Sequence, residues 1–443
     1  MSGPGDSSFY SKKLILAPMV RAGRTPLRLL SLKYGADLAY TEEIVDQKLL
    51  SCKRVQNDIL GTIDYTLEDD IVLRVAPSRE KCVLQIGTND ASRAAELVKF
   101  VGTDVAAIDV NMGCPKPFSV HQGMGAALLS QTDKIKDILT SMIAVSTVPI
   151  SCKIRVLDDP SHTLNLVREI EKCGVAALGV HGRRRDERQL HACRIEEIRE
   201  VARTVSVPVI ANGGSGDIKT HEDLLKFREE TETSSVMLAR RALQAPSIFR
   251  KEGILSMEED IRNFLEIACE YDENYTMTKY VCQRILGSEQ EHDPRGKATV
   301  AAGSVMEICR AWDMEPVYEE QRTRRARLRC KRKGHEEVEE EGEISFIDIT
   351  FPLKKLREPK NRNISPKTVL FDYCKAELMD KPKYSTEHRA SDHRFVGSVE
   401  VEGKKFCSRR GQPNIKMAEQ VAALAALIGL GLRDRLKGEW DEE

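Results

Sequence analysis

Val105-Ala-Ala-Ile-Asp109-Val-Asn111-Met-Gly113-Cys114-Pro115 is the stretch whose reading decides the fold. A run of strand character, apolar almost throughout, stops at polar residues and a Gly-Cys-Pro turn. Such a run suits a parallel strand covered on both faces, whereas a half-solvated strand would alternate. Outward from it the same unit recurs at 14–17, 38–41, 82–86, 149–154, 177–180, 208–211 and 235–239. Helical patterns lie between, such as Ala94, Leu97, Val98 and Val101 at i, i+3, i+4, i+7. Eight strand–helix units in about 240 residues match a (β/α)8 TIM barrel in number and size. An open doubly wound sheet is the rival; it usually has fewer strands, and no Gly-x-Gly-x-x-Gly follows the first run. The extra run at 71–75 reads as a local hairpin.

The expected organisation is α/β, with the barrel over residues 10–250. Residues 251–318 read as a small helical domain: Ser256 and Glu259 have capping-box spacing, and Ile261, Phe264, Leu265 and Ala268 make an apolar stripe. Residues 319–360 read as a charged linker. Its first part is basic (Arg322, Arg324, Arg325, Arg327, Arg329, Lys331, Arg332, Lys333) and its second acidic (Glu336, Glu337, Glu339, Glu340, Glu341, Glu343). Charge blocks of this kind are usually solvated; a nuclear signal or an RNA-contacting arm is the alternative. Residues 361–433 read as α-β-β-β-α, with helices over 368–378 and 416–428 and strands over 395–401 and 404–408. The second helix repeats Ala418, Val421, Ala422 and Ala425, a small-residue stripe suited to close packing on a sheet.

Composition narrows the function classes. Of 443 residues 41% are hydrophobic and 31% charged, ordinary for a folded chain and unlike a disordered or fibrous one. With 68 Lys and Arg against 69 Asp and Glu the formal net charge is −1, so nucleic-acid binding must rest on local patches. Aromatics are 5%, too few for single-strand stacking to dominate. The 12 cysteines form no Cys-x-x-Cys pair, so no zinc ribbon, redox dithiol or other metal site is expected. No signal peptide and no membrane span is read, and a reduced, cytoplasmic setting fits best.

Reactive groups of a barrel come from the C-terminal ends of its strands. Here those ends read Pro18-Met19, Gln85, Asn111-Met-Gly113-Cys114-Pro115, Lys153-Ile-Arg155, His181-Gly-Arg183, Asn212-Gly213-Gly214 and Ala239-Arg240. A structural salt bridge would account for Lys153 or Arg240 alone, but the series makes a polar ring at one mouth. Asn212-Gly213-Gly214 leaves backbone N–H groups open to an anion, and Arg240 opens the next helix. These are the loops after strands seven and eight, the usual phosphate site of the fold. A strand lysine can stabilise charge on a reduced ring, and Gln85 offers the donor–acceptor pair that an imide edge needs. The expected ligand is a phosphorylated planar cofactor.

Asn-x-Gly-Cys-Pro at Asn111–Pro115, with Pro18-Met19, Gln85, Lys153, His181-Gly-Arg183 and Asn212-Gly213-Gly214, resembles the tRNA-dihydrouridine synthases. The resemblance implies an FMN-dependent barrel that reduces the C5=C6 bond of a D-loop uridine in tRNA with NADPH. It implies Cys114 as the proton donor; an unperturbed thiol, with a pKa near about 8.5, is mostly protonated at neutral pH. Gln85, Lys153, Pro18 and Met19 would meet the flavin ring. Asn212, Gly213, Gly214, Ala239 and Arg240 would hold its phosphate end, with His181 between cofactor and substrate. Asn111 would orient the base, and Arg183 would touch the RNA. A buried structural thiol and a hydrogen-bonded structural histidine are the alternatives for Cys114 and His181.

The last part is similar to a double-stranded-RNA-binding domain, which suits docking on a tRNA arm and points to position 20. Lys404, Lys405, Arg409, Arg410 and Lys416 are its candidate phosphate contacts; a protein-contact domain is the alternative. A monomer with no membrane partner is expected. An FMN barrel acting on a free pyrimidine or enone, and a non-catalytic dsRNA-binding regulator, are the rival functions.

Overall fold

In chain order the N-terminal strands of the computed structural model are β1 (Leu14–Leu16), β2 (Leu38–Tyr40), β3 (Ile44–Val45), β4 (Lys53–Asn57), β5 (Thr62–Leu67) and β6 (Asp70–Val75). They continue with β7 (Cys82–Gly87), β8 (Ala107–Asn111), β9 (Ile150–Arg155), β10 (Ala177–His181), β11 (Val209–Asn212) and β12 (Ser235–Leu238). The structure describes residues 3–67, 70–188, 190–333, 339–341, 344–347, 349, 365–377, 379–390, 392–430 and 432. Eight of these strands pair in parallel in the order β2-β1-β12-β11-β10-β9-β8-β7, and β7 pairs with β2 to close the ring. All eight expected runs are barrel strands.

Alternate residues of each strand go to different cores. Ile15, Leu38, Tyr40, Val83, Ala107, Ala177, Ile210 and Met237 form one buried cluster, the filling of the barrel. Their neighbours Leu14, Leu16, Leu84, Ile108, Cys152, Leu178, Val180 and Val236 join a second cluster with the surrounding helices. Both faces are apolar, so the runs look continuous in sequence although the side chains alternate. Tyr10, ahead of β1, is fully buried in the inner cluster, and its hydroxyl lies 3.0 Å from Ser151 Oγ.

The run at 71–75 belongs to more than a hairpin. β4, β5 and β6 form a three-stranded antiparallel sheet between barrel strands β2 and β7. Arg74 pairs with Asp64 at 2.8 Å within it, and Arg74 also donates to the Tyr271 carbonyl in the helical segment. Arg28 and Glu80 form a buried two-bond pair at 2.7 and 2.9 Å. Removing one partner of such a pair typically costs about 3–5 kcal/mol, because the other charge is left buried.

Helices Met257–Glu270, Tyr275–Leu286, Pro294–Ala301 and Val305–Ala311 follow the barrel. The Ser256–Glu259 capping box forms as the spacing predicts. Trp312 is fully buried, donates from Nε1 to Thr299 Oγ1 at 2.9 Å, and lies under the Arg295 guanidinium. The sequence reading puts a boundary at residue 250, but Ile261, Phe264 and Leu265 belong to the same apolar cluster as the outer barrel face. Barrel and helical segment form one compact unit that runs to Arg325.

The basic half of the expected linker is helical. Helix Glu315–Lys333 covers it, and Arg325 is buried, paired with Asp272 at 2.9 Å and bonded to the Cys269 carbonyl. Between Val317 and Lys333 there is no Gly or Pro, and the residues are mostly good helix formers, which outweighs their like charge. Of the acidic half, Glu336, Glu337 and Glu343 lie outside the described residues, whereas Glu339–Glu341 is a strand.

That strand, β13, is the first of the second unit, which begins at Ala326; β14 (Ile344–Phe346), β15 (Lys383–Arg389), β16 (Arg394–Val401) and β17 (Lys404–Cys407) follow, in the sheet order β13-β14-β17-β16-β15. Helices Pro366–Ala376 and Ile415–Gly429 complete the expected α-β-β-β-α pattern, with β13 and β14 added at one edge. Ala418, Val421, Ala422 and Ala425 are buried as the stripe predicts. A Cβ on Gly397 of β16 would come within 2.2 Å of the Ala418 carbonyl oxygen, so sheet and helix backbones touch directly. Among the described residues no helix is long and apolar enough to cross a membrane.

Candidate active site

Register sets the site. Gln85 on β7, Asp109 on β8 and Ser151 on β9 sit side by side. Gln85 Nε2 donates to Asp109 Oδ2 at 2.9 Å, and Ser151 Oγ donates to Asp109 Oδ1 at 2.7 Å. Burial pushes the Asp109 carboxyl up to about 6; those two hydrogen bonds and the Lys153 charge act against the shift. One layer higher, Lys153 is flanked by Asn111 and Gly179. A Cβ at Gly179 would stand 3.0 Å from Lys153 Cγ, so the glycine makes room for the lysine stem. Burial, then Arg155, lowers the Lys153 ammonium to about 8, with Asp109 and the Cys114 thiol pulling the other way.

The top row is Arg155, His181 and Asn212. Burial holds His181 far below its ordinary range, and Lys153, Arg155, Arg183 and Arg240 press the same way. Both effects favour the neutral imidazole. Arg183 is buried; its guanidinium lies 3.3 Å from His181 Nε2 and donates to the Gly213 carbonyl at 2.8 Å and the His191 carbonyl at 2.8 Å. Asn212 Nδ2 donates to the Met237 carbonyl at 3.0 Å.

The Cys114 loop is pinned by its own neighbours. Asn111 Oδ1 accepts from the Gly113 and Cys114 amides, both at 3.0 Å. Arg155 Nε donates to the Gly113 carbonyl at 2.8 Å, and the Ala126 amide to the Cys114 carbonyl at 2.9 Å. Gly113 eases the packing here, since a Cβ would stand 3.2 Å from Arg155 Cγ and 3.3 Å from the Ile154 carbonyl carbon. The side-chain oxygen of Asn111 thus holds the turn, while the residue also lies on the cavity wall where the sequence reading expects it. Cys114 itself is only partly buried. Burial and then the Glu43 charge raise its thiol, which stays protonated at neutral pH.

A cavity of about 590 Å³ opens at this mouth, within the size range of small-molecule sites. Pro18, Met19, Gln85, Asn111, Cys114 and Lys153 lie on one part of its wall. His181, Arg183, Asn212, Gly213, Ala239 and Arg240 complete it. Gly214 is not on the wall: it is buried, and a Cβ there would strike Ile218 and Phe227 at 2.9 and 3.0 Å. Its lack of a side chain serves packing of the loop on the following helix.

The wall also holds residues to which the sequence reading assigns no role. Arg155 closes the strand end Lys153-Ile-Arg155, and Glu43 follows the second strand in Thr41-Glu-Glu. Tyr280 comes from helix Tyr275–Leu286, over a sequence distance that no local pattern reveals.

Residues 15–300 match the dihydrouridine synthase (Dus) family, well over half of the chain. The chain belongs to that family. Residues 366–430 match the double-stranded RNA binding motif. This dihydrouridine synthase is 38% identical over 319 residues to the tRNA-dihydrouridine(20) synthase [NAD(P)+] of Schizosaccharomyces pombe, covering 69% of this chain and 66% of that one. It is 36% identical over 298 residues to the Saccharomyces cerevisiae protein of the same name, covering 62% and 78%. A human tRNA-dihydrouridine(20a/20b) synthase [NAD(P)+]-like protein is 30% identical, covering 54% and 72%.

The five basic candidates of the C-terminal part lie in the second unit of this dihydrouridine synthase and not on the cavity wall. Lys404 and Lys416 are exposed, and Lys405, Arg409 and Arg410 are partly buried. The Arg409 guanidinium lies 4.3 Å from the Phe346 ring centre, and its carbonyl accepts from Arg389 Nη1 at 2.8 Å.

Proposed function

We propose that this chain is an FMN-dependent tRNA-dihydrouridine synthase that reduces the C5=C6 bond of a D-loop uridine, at position 20, with NADPH. The observation that carries the reading is the Cys114 thiol on the wall of a cavity shared with Gln85, Lys153 and His181; burial and Glu43 favour its protonated form. The residues fit a flavin. Lys153, Arg155, Arg183 and Arg240 gather positive charge at one side of the cavity, adding to burial in disfavouring a charged His181, a setting that favours an anionic phosphate ester. Gly213, at φ +128, brings bare backbone to the same wall. The yeast relatives carry NAD(P)+ in their names, in keeping with a nicotinamide reductant.

When bound, FMN supplies hydride to uracil C6. The chain does the rest. Cys114 gives its thiol proton to C5, while the Asn111 and Arg155 bonds to its turn fix where that sulfur stands. Lys153, one layer below, would stabilise negative charge on a bound flavin ring, and the Asp109 bond would orient the Gln85 amide toward its imide edge. Asn212, Gly213 and Arg240 serve the phosphate end. His181, favoured as the neutral imidazole, would place a single hydrogen bond between cofactor and base. A uridine in folded RNA must leave its stack to enter, and the double-stranded RNA binding motif supports tRNA over a free pyrimidine. We propose that the enzyme works as a cytoplasmic monomer.

Replacing Cys114 with Ala is expected to cut dihydrouridine formation in tRNA by roughly 10²–10⁴-fold with the flavin absorption retained. Undiminished turnover in a flavin-loaded variant would remove Cys114 from the acid role.

A further inference from the structure

Two adjacent carboxylates follow β2, and the structure uses them differently. Glu42 accepts the Arg21 amide at 2.9 Å and faces Arg24 at 3.6 Å. Glu43 turns instead to the cavity that contains Cys114, and its Oε1 is buried with no hydrogen-bond partner among the described residues. Room for it is built in. β3 pairs with β7 so that Val45 opposes Gly87, and a Cβ on Gly87 would lie 2.7 Å from Glu43 Oε1. The carboxyl shares the cavity wall with Asn111 and Cys114; burial raises it, while the Cys114 thiol, the Asn111 side chain and Lys116 act the other way.

We propose that Glu43 is a positioning residue that keeps the proton on the Cys114 thiol. The inference rests on reading Cys114 as the acid. Lys153 and Arg155 are close enough to favour a thiolate, as are the Lys116 backbone amide and the Ser119 hydroxyl. A thiolate beside uracil would be a nucleophile toward the C5=C6 bond; a thiol is a proton donor. The Glu43 carboxylate, itself facing Asn111, Cys114 and Lys116, accepts the S–H and opposes a second negative charge next to it. In turnover the S–H bond breaks, a C5–H bond forms, and the thiolate left beside Glu43 recovers a proton from solvent. The carboxylate makes that recovery favourable.

The test is site-resolved alkylation of full-length, flavin-loaded protein by iodoacetamide across roughly pH 6–10, reading the Cys114 peptide by mass spectrometry. In Glu43→Gln the thiol is expected to ionise about one pH unit lower, so that Cys114 reacts about tenfold faster near neutral pH. The basic limb of dihydrouridine formation should move down by the same amount. Gly87→Ala, which drives a methyl into the Glu43 carboxyl, should shift the profile the same way and serves if the Gln variant does not fold. Alkylation profiles that superimpose on wild type, with flavin retained, overturn the role of Glu43 even if Cys114→Ala is inactive. Full activity in Cys114→Ala would overturn the acid reading while leaving the alkylation comparison intact.

Discussion

Lys153 shows what a functional charge costs a fold. Its ammonium is lowered to about 8 by burial and Arg155, against about 10.4 in an unfolded chain. Between those values the unfolded state binds more protons, so the stability of the flavin-free protein should rise with pH over that window; below about pH 8 the cost is borne in full. Lys153→Met is therefore expected to stabilise flavin-free protein at neutral pH by about 2–3 kcal/mol and to flatten that rise, while weakening FMN binding. Thermal melts of apoprotein across the window, with flavin fluorescence titrations alongside, check both. An apoprotein destabilised by the substitution would mean that the ammonium is paired rather than strained. FMN affinity of the wild type should also decline above about pH 8 as the ammonium loses its proton, and Lys153→Arg should abolish that decline.

At the scale of elements, what positions the chemistry is the alternation along each barrel strand. On β8, Ala107 belongs to the inner filling while Ile108 and Val110 pack with the helices; the same parity carries Asp109 inward, to Gln85 and Ser151. The sequence shows the strand and its polar end, but not which parity faces in, because both faces are apolar. Glycines then set the closest approaches. Gly397→Ala would push a methyl against the Ala418 carbonyl, backbone against backbone, so neither neighbour can yield cheaply. It should destabilise the second unit by about 1–3 kcal/mol or more. Calorimetry on the full chain should show that unit melting earlier while the flavin-linked transition stays where it was; an unchanged scan would contradict the close contact.

At the scale of the molecule, a net charge of −1 gives no general attraction for RNA, so affinity must come from local basic groups. Neutralising Arg409 and Arg410 together is expected to weaken tRNA binding and to reduce the slope of log K against log salt by about 1.4–1.8, two phosphate contacts' worth. Part of any loss at Arg409 will reflect its stacking on Phe346, so the salt slope, and not affinity alone, is the deciding measurement. A slope identical to wild type would show that these side chains do not meet phosphate.

The barrel, the helices after it, the α-β-β-β-α tail and about half of the cavity wall were legible in the chain, because each leaves a local mark. Buried parallel strands are continuous apolar runs, turns need Gly and Pro, and reactive groups fall at strand ends. The burial of Arg325 is hidden for a related reason: its charge is visible in the sequence, whereas its Asp272 partner lies dozens of residues away. Glu43 and Tyr280 were hidden in the same manner. A carboxylate after a strand looks solvated until the ring closes and brings Gly87 and Cys114 to it, and an aromatic on a distant helix belongs to a site only once that helix has docked. Local pattern fixes which elements form. Which of their side chains share a cavity, and what charge each then carries, depends on long-range packing and on the water it removes.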